Sequence, residues 1–475
     1  MMWKIKAIFF LFMILPSCEQ PFRNAIRVTI DVSSVTGKIR PLNGGNLGPV
    51  CHLKMLDMTE EFMELGIPVI RTHDVPWFSI PAVDVHTIFR NFDLDPSDPE
   101  NYNFRQTDDY IASLVGTGAE IVYRLGESIE HSRNKYNVNP PSDNDKWAEI
   151  CCNIIRHYNQ GWADGFEYDI KYWEIWNEPD IRPACWTGTD DQFFDLYNTV
   201  SKKIKKEFPE IKVGGPAIAH PVHLEASNWI PTDFTRKFLV NCRDQVVPLD
   251  FFTWHMYSDD PFESGQRPGH VRKMLDDFGF TNTESHMNEW NYIPDNNWNA
   301  LMTDKGNTRE AAYDKQSGVK GAAFAATVLM LLQDQPIDVA NFYTTTAGLF
   351  GIFSGFGEPQ KVYYALKAFA KLRNTPERIA VDYDMEDGLV FCAGRSEDQS
   401  EITVLVSNFS EETRDILMTF SNYEIMPSTK YQVYVIDKLH SHAKRKDTRI
   451  HGKDEFFINE IMKGPSVLLI KITSD

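Results

Sequence analysis

Lys171-Tyr-Trp-Glu-Ile-Trp-Asn-Glu-Pro-Asp180 is the stretch from which the fold is read. Residues 172–176 form a short run rich in aromatic and β-branched side chains, too brief for a helix and suited to a strand. The run stops at Asn177-Glu178-Pro179, because proline cannot donate to a strand ladder. A carboxylate therefore stands just past the end of a strand.

Similar runs recur outward from this one, at residues 68–72, 120–125, 211–215, 250–254, 284–288 and 339–343. A weaker, Gly-rich eighth lies at 45–51. Amphipathic helical segments fall between them. Residues 108–117 carry Ile111, Leu114 and Val115 on one face, and residues 145–158 carry Trp147, Ile150, Ile154 and Ile155. Residues 191–208 and 311–332 show comparable stripes. Strands alternating with helices form βαβ units and a parallel sheet, and eight such units predict an α/β protein of the (β/α)8 TIM-barrel type with loop insertions. A doubly wound open sheet is the alternative, but no GxGxxG follows the first strand.

The barrel is assigned to residues 41–373. After it, residues 388–392, 401–406, 416–420, 431–435 and 466–472 alternate apolar and polar side chains without helical periodicity. This predicts an accessory C-terminal antiparallel β-sandwich over 374–475. The alternating segment Ala25-Ile-Arg-Val-Thr-Ile-Asp-Val32, within 18–40, is expected to add a strand to it.

The first residues read as a leader. Lys4 and Lys6 precede the apolar run Ala7-Ile-Phe-Phe-Leu-Phe-Met-Ile-Leu15, shorter than the roughly 20 residues a spanning helix needs. Pro16-Ser17-Cys18 then resembles a bacterial lipobox, so residues 1–17 are expected to be a signal peptide of the lipoprotein type and Cys18 the membrane-anchored first residue, with plain secretion as the alternative. The six other cysteines, at 51, 151, 152, 185, 242 and 392, show neither CxxC nor Cys/His metal spacing and are expected to be buried thiols.

The formal charge of −19 and the lack of a basic stripe exclude nucleic acid as a partner. The one basic cluster, Lys444-Arg445-Lys446, is expected to be a solvated loop. Aromatic residues make up 13% of the chain, which suits sugar-binding clefts and large cores alike.

Two carboxylates carry the chemistry. Glu178 follows the fourth strand, and Glu289, in His286-Met-Asn-Glu289-Trp290, closes the seventh. Residues at the C-terminal ends of barrel strands line the active site, and strands four and seven face each other across the mouth. A pair so placed can flank a glycosidic bond: one carboxylic acid protonates the leaving oxygen, while the other attacks the anomeric carbon or activates water. No metal or other cofactor is required, and a metal-dependent hydrolase lacks its HxH or HExxH.

On these motifs the chain resembles clan A glycoside hydrolases, and most closely family 39, whose members include β-xylosidases and α-L-iduronidases. The resemblance covers roughly residues 40–375. It rests on Trp173-Glu-Ile-Trp-Asn-Glu-Pro-Asp180, Trp186-Thr-Gly-Thr-Asp190, Leu196-Tyr197, Lys212-Val-Gly-Gly-Pro-Ala217, Val69-Ile-Arg-Thr-His73 and Asp250-Phe-Phe-Thr-Trp-His-Met-Tyr257. It implies a retaining enzyme with Glu178 as acid/base and Glu289 as nucleophile. It also implies that Asn177 binds the sugar 2-hydroxyl, that His255 and Tyr257 lie beside the nucleophile, that Arg71 keeps Glu289 ionised, and that His73 lines the sugar subsite. Trp290, Trp186 and Trp77 are candidate platforms for sugar faces.

Two segments bear on the substrate. Tyr123-Arg-Leu-Gly-Glu-Ser128 puts Arg124 and Glu127 near the pocket, to read substrate groups or, as the preferred reading, to pair with each other. Around the eighth strand, family members carry a Trp-containing run with several acids, where this chain has Asn341-Phe-Tyr-Thr-Thr-Thr-Ala347. The expected substrate is thus an oligosaccharide or other glycoside, cleaved in the exo mode of a β-xylosidase, with iduronide, arabinoside or galactoside as alternatives. A non-catalytic sugar-binding lipoprotein would not need both glutamates.

Overall fold

The computed structural model describes residues 25–474 except 76, 78–80, 227, 385–387 and 451–454. The expected leader and Cys18 lie outside the described residues. Among the described residues, no helix is long and apolar enough to cross a membrane.

Eight parallel strands close into a barrel in chain order. They are β1 (Gly44–Asn46), β2 (Val69–Arg71), β3 (Glu120–Leu125), β4 (Tyr172–Ile175), β5 (Lys212–Ile218), β6 (Phe251–Ser258), β7 (Glu284–Tyr292) and β8 (Val339–Phe342). Glycine is needed in β1, because a Cβ on Gly44 would collide with the side chain of Asn341 and the carbonyl of Ala340 in β8. The Gly-rich eighth run is weak as a strand by composition, yet it is the one that lets the barrel close.

The helices follow the expected stripes and are well capped. Asp143 accepts the Lys146 N–H to begin Asn144–Gln160, which ends at Gly161 with φ 69°. Thr189 and Gln192 form a capping box on Asp190–Glu207, whose buried face is Phe193, Phe194, Leu196, Tyr197, Val200 and Ile204. The stripe expected over 311–332 is two helices, Asn307–Ser317 and Val319–Leu331, because Gly318 is extended (φ −83°, ψ −161°).

The accessory domain is one nine-stranded sheet to which Ile26–Lys38 belongs. That strand pairs antiparallel with Glu377–Asp382 and parallel with Arg414–Ser421. The two outermost strands of the sheet are Ser441–Arg449 and Glu455–Met462. Their side chains nevertheless meet: Arg445 pairs with Glu460, and the Lys446 Nζ lies 2.6 Å from Glu460 Oε1. The sheet therefore rolls back on itself around a core that includes Val28, Ile30, Val404, Met418 and Ile470. These contacts correct the reading of Lys444-Arg445-Lys446 as a loop. The segment is a polar edge strand, hidden from an apolar pattern because charge protects an exposed sheet edge.

Six of the 11 tryptophans, at 77, 173, 176, 186, 254 and 290, are buried almost completely, so aromatic richness chiefly fills the core. The six described cysteines are free and buried.

Candidate active site

The C-terminal mouth of the barrel gathers Glu178 and Glu289. Strand β4 ends at Ile175, and the chain turns through left-handed residues at Trp176 (φ 73°) and Glu178 (φ 47°). Positive φ at non-glycine residues costs energy and clusters at functional sites. The turn is pinned on both sides: the Trp176 N–H donates to the Leu125 carbonyl at 2.7 Å, and the Glu178 N–H to the Ala217 carbonyl at 3.0 Å.

Glu289 lies within β7 rather than past its end. Strands β6 and β7 run several residues beyond the apolar runs visible in sequence, and a register shift after Trp254 brings His255 level with Glu289. An irregularity of this kind re-aims side chains at a barrel rim.

Cations and donors surround Glu289. The Arg71 Nη1 donates to its Oε1 at 2.7 Å and the Tyr257 hydroxyl to its Oε2 at 2.6 Å. The His73 Nε2 lies 2.9 Å from Oε1, and the His255 Nε2 3.5 Å from it. Burial would raise the Glu289 pKa, but the charges of His255, His73 and Arg71 overcome it and hold the carboxylate well below its usual range.

Arg71 is fully buried at the centre of this network. Its Nε donates to Glu174 Oε2 at 2.6 Å, its Nη2 to Asn177 Oδ1 at 2.8 Å and its Nη1 also to Asn46 Oδ1 at 3.2 Å. Accepting from Arg71 fixes the Asn177 amide so that its NH2 can donate to a ligand. Burial would lower the pKa of His73, yet Asp74 and Glu289 raise it to about 9, so it is a cation at neutral pH. The His255 Nδ1 lies 2.8 Å from Glu178 Oε1.

One oxygen of Glu178 and one of Glu289 lie within 4.8 Å of each other, and a His255 nitrogen lies within the same distance of both. A separation of about 5–5.5 Å between the carboxyl groups belongs to double displacement, whereas about 6.5–9.5 Å leaves room for an attacking water. The two groups are thus close enough to flank one glycosidic bond. The Nε2 atoms of His73 and His255 are buried without an aligned hydrogen-bond partner, as suits groups that meet a ligand.

The family model for glycosyl hydrolases family 39 matches residues 49–436. The chain belongs to that family. A β-xylosidase of Caldicellulosiruptor saccharolyticus is 25% identical over 434 residues, covering 81% of this chain and 79% of that protein. A β-xylosidase of Geobacillus stearothermophilus is 28% identical over 225 residues, 45% of this chain and 41% of that one. A solved glucosidase from Croceicoccus marinus superposes with a TM-score of 0.78 at 24% identity, covering 95% of this chain and 99% of its own. As a member of family 39 the chain is a glycoside hydrolase.

Within this family 39 barrel, several residues escaped the sequence reading. Glu174 pairs with the Arg71 that holds Glu289, and Asn288 donates to Glu174 at 2.5 Å. Asp74 follows Arg-Thr-His directly, and its Oδ1 lies 2.6 Å from the His73 Nδ1. The Tyr343 hydroxyl donates to the same oxygen at 3.4 Å, and the Tyr343 ring stands edge-on to His73 at 5.4 Å. A carboxylate just past β2 and a phenol just past β8 thus stand beside the pair, where the eighth-strand segment itself has no acid. Cys185 donates its thiol to Glu178 Oε2 at 3.7 Å. Trp298, 43% exposed, stands edge-on to Tyr257 at 5.0 Å.

Other expectations are corrected. Trp186 is fully buried between Trp176 and Phe193, with its Nε1–H given to the Thr189 carbonyl. Trp290 alternates with the inward Glu289 and packs edge-on against Phe342, and Trp77 packs on Tyr110. None of the three presents a face to a sugar. Arg124 and Glu127 do not pair with each other. Arg124 takes Asp84 at 2.6 Å, and Glu127 takes His86. Burial raises the Glu127 pKa to about 7 against the pull of His86.

Proposed function

We propose that this chain is a retaining, exo-acting β-xylosidase-like enzyme of family 39, with Glu289 as nucleophile and Glu178 as acid/base. The observation that carries the reading is that an oxygen of Glu178 and an oxygen of Glu289 lie within 4.8 Å of each other. In this reading Glu289, ionised among Arg71, His73 and Tyr257, attacks the anomeric carbon. Glu178 gives its proton to the leaving oxygen, then takes one from the water that releases the sugar. Asn177 donates to the 2-hydroxyl, a contact that strengthens as the transition state forms. His73, with Asp74 and Tyr343 behind it, and His255 bind the remaining sugar oxygens.

The xyloside preference rests on the two relatives named β-xylosidase. The lipobox-like Leu15-Pro-Ser-Cys18 supports export and lipid attachment at Cys18. Hydrolysis rates on aryl xyloside, arabinoside, galactoside, glucoside and iduronide test the sugar. A β-xyloside is expected to lead, and equal or better turnover of an α-linked or acidic glycoside contradicts the reading. Substituting Cys18 by alanine is expected to move the protein from the membrane to the soluble fraction.

A further inference from the structure

Cys185 lies seven residues after Glu178, and its thiol donates back to Glu178 Oε2 at 3.7 Å. The other oxygen, Oε1, has the His255 Nδ1 at 2.8 Å. A ring nitrogen from β6 and a thiol from the following loop thus grip the carboxyl group from its two sides.

The thiol is held in place by its own main chain. The Cys185 N–H donates to the Ile181 carbonyl at 2.9 Å, and the Ile181 N–H to the Glu178 carbonyl at 2.9 Å. The Cys185 carbonyl accepts the Trp176 Nε1–H at 2.8 Å. The carbonyl before it, of Ala184, accepts the Glu130 N–H at 2.9 Å. The chain that leaves Glu178 therefore folds back and returns a side chain to it. Cys185 is 1% exposed. Burial, and then the charge of Glu178, push its pKa far up, so it stays a neutral S–H.

A neutral thiol is a weak donor with an apolar body. Next to a carboxyl that must start as an acid, weakness matters, because a strong donor to Oε2 would favour the carboxylate. The sulfur fills the space, keeps water off Oε2 and orients the group, at little cost to the protonated form. The other titratable groups around Glu178 are Asp180 on its own turn, His220 after β5, His255 and Tyr257 on β6, Glu289 on β7 and Tyr343 just past β8.

We propose that Cys185 is a positioning residue for the acid/base, fixing the Oε2 side of Glu178 opposite His255 through its thiol. The inference rests on the reading of Glu178 as acid/base and adds a residue that acts through it.

The test is the pH dependence of kcat/KM on xylobiose and on 4-nitrophenyl β-D-xyloside in the full protein, in Cys185→Ser and in Cys185→Ala. Xylobiose has the leaving group that needs a proton from Glu178. A serine hydroxyl is a stronger donor on a shorter bond; it draws Oε2 towards itself and favours the carboxylate. The alkaline limb on xylobiose is therefore expected to move down by about half a pH unit or more in Cys185→Ser, and not to move down in Cys185→Ala. Cys185→Ala releases Oε2, and its kcat/KM on xylobiose is expected to fall about fivefold relative to nitrophenyl xyloside. A limb that stays in place in Cys185→Ser, or a substrate ratio unchanged within about twofold in Cys185→Ala, overturns the role, since a merely structural cysteine lowers both substrates alike. A third readout needs no catalysis. The S–H stretching band that disappears in Cys185→Ala is expected to shift in Glu178→Ala, and a band that keeps its frequency overturns the contact. Equal losses on both substrates in Glu178→Ala remove the acid/base reading and the role that rests on it, while the band shift still reports the contact.

Discussion

Arg71 and Glu289 form an ion pair at 2.7 Å inside the barrel, with side-chain exposures of 0% and 5%. The pair ties the strand β2 guanidinium to the strand β7 carboxylate, and through Glu174 and Asn177 to β4. Removing Arg71 leaves Glu174 and Glu289 buried without their shared cation. Arg71→Met is expected to destabilise the fold by about 3–5 kcal/mol, read as a shift in the denaturation midpoint. A midpoint unchanged from that of the original protein contradicts the network.

The same pair sets the acid side of the pH profile. Glu289 has its pKa lowered from 4.5, so its contribution to stability is present above pH 4.5 and is lost as pH falls through the lower folded value. As an ionised nucleophile it also stays competent there. The acid limb of kcat/KM is expected below 4.5, and in Arg71→Met it is expected to move up, because burial then acts on a carboxylate with one cation fewer. An acid limb at or above 4.5 in the unaltered enzyme speaks against this electrostatic arrangement.

His73 carries the opposite sign. Its pKa is raised from 6.5 to about 9, so its stabilisation is complete below pH 6.5 and is lost as pH rises through about 9. The shift corresponds to roughly 3 kcal/mol at most. His73→Gln is expected to flatten the decline in stability between these pH values. A decline that persists unaltered in the variant assigns it to other groups.

Glu178 has the leaving-group role in the proposed mechanism. Glu178→Ala is expected to lose on the order of 10²-fold more kcat/KM on xylobiose, with its poor leaving group, than on nitrophenyl xyloside, where acid assistance matters little. Equal losses on both substrates remove Glu178 from the acid role.

Trp186 lies in the motif that resembles the family, and it serves packing. Trp186→Ala is expected to cost about 3–5 kcal/mol of stability. A selective rise in KM without loss of stability restores it as a sugar platform.

The barrel was legible because its strands are short apolar runs between striped helices, and Glu178 was legible because Asn-Glu-Pro ends a strand abruptly. What sequence hid has physical causes. The shift after Trp254 that aligns His255 with Glu289 leaves no compositional trace. Asp74 and Tyr343 come together from distant strands and are each unremarkable in their own segment. Trp186 and Trp290 carry motif positions but face the core, and strand alternation could have placed Trp290 opposite Glu289. Arg124 and Glu127 were read as neighbours in sequence, whereas the short helix Val85–Ile88, with Asp84 at its N-cap and His86 in its first turn, supplies a nearer partner for each. The strand Ser441–Arg449 is polar apart from Ala443 because it is an edge.

In the proposed mechanism Glu289 becomes covalently glycosylated. This is tested most directly by reacting the enzyme with a 2-deoxy-2-fluoro-β-xylosyl fluoride, which slows release of the intermediate, and locating the added sugar by peptide mass spectrometry. One sugar per chain is expected, on the peptide that carries Glu289 and on that residue, with loss of activity in step with labelling. Labelling of a different carboxylate, or hydrolysis of the reagent with an α product and no adduct, contradicts it.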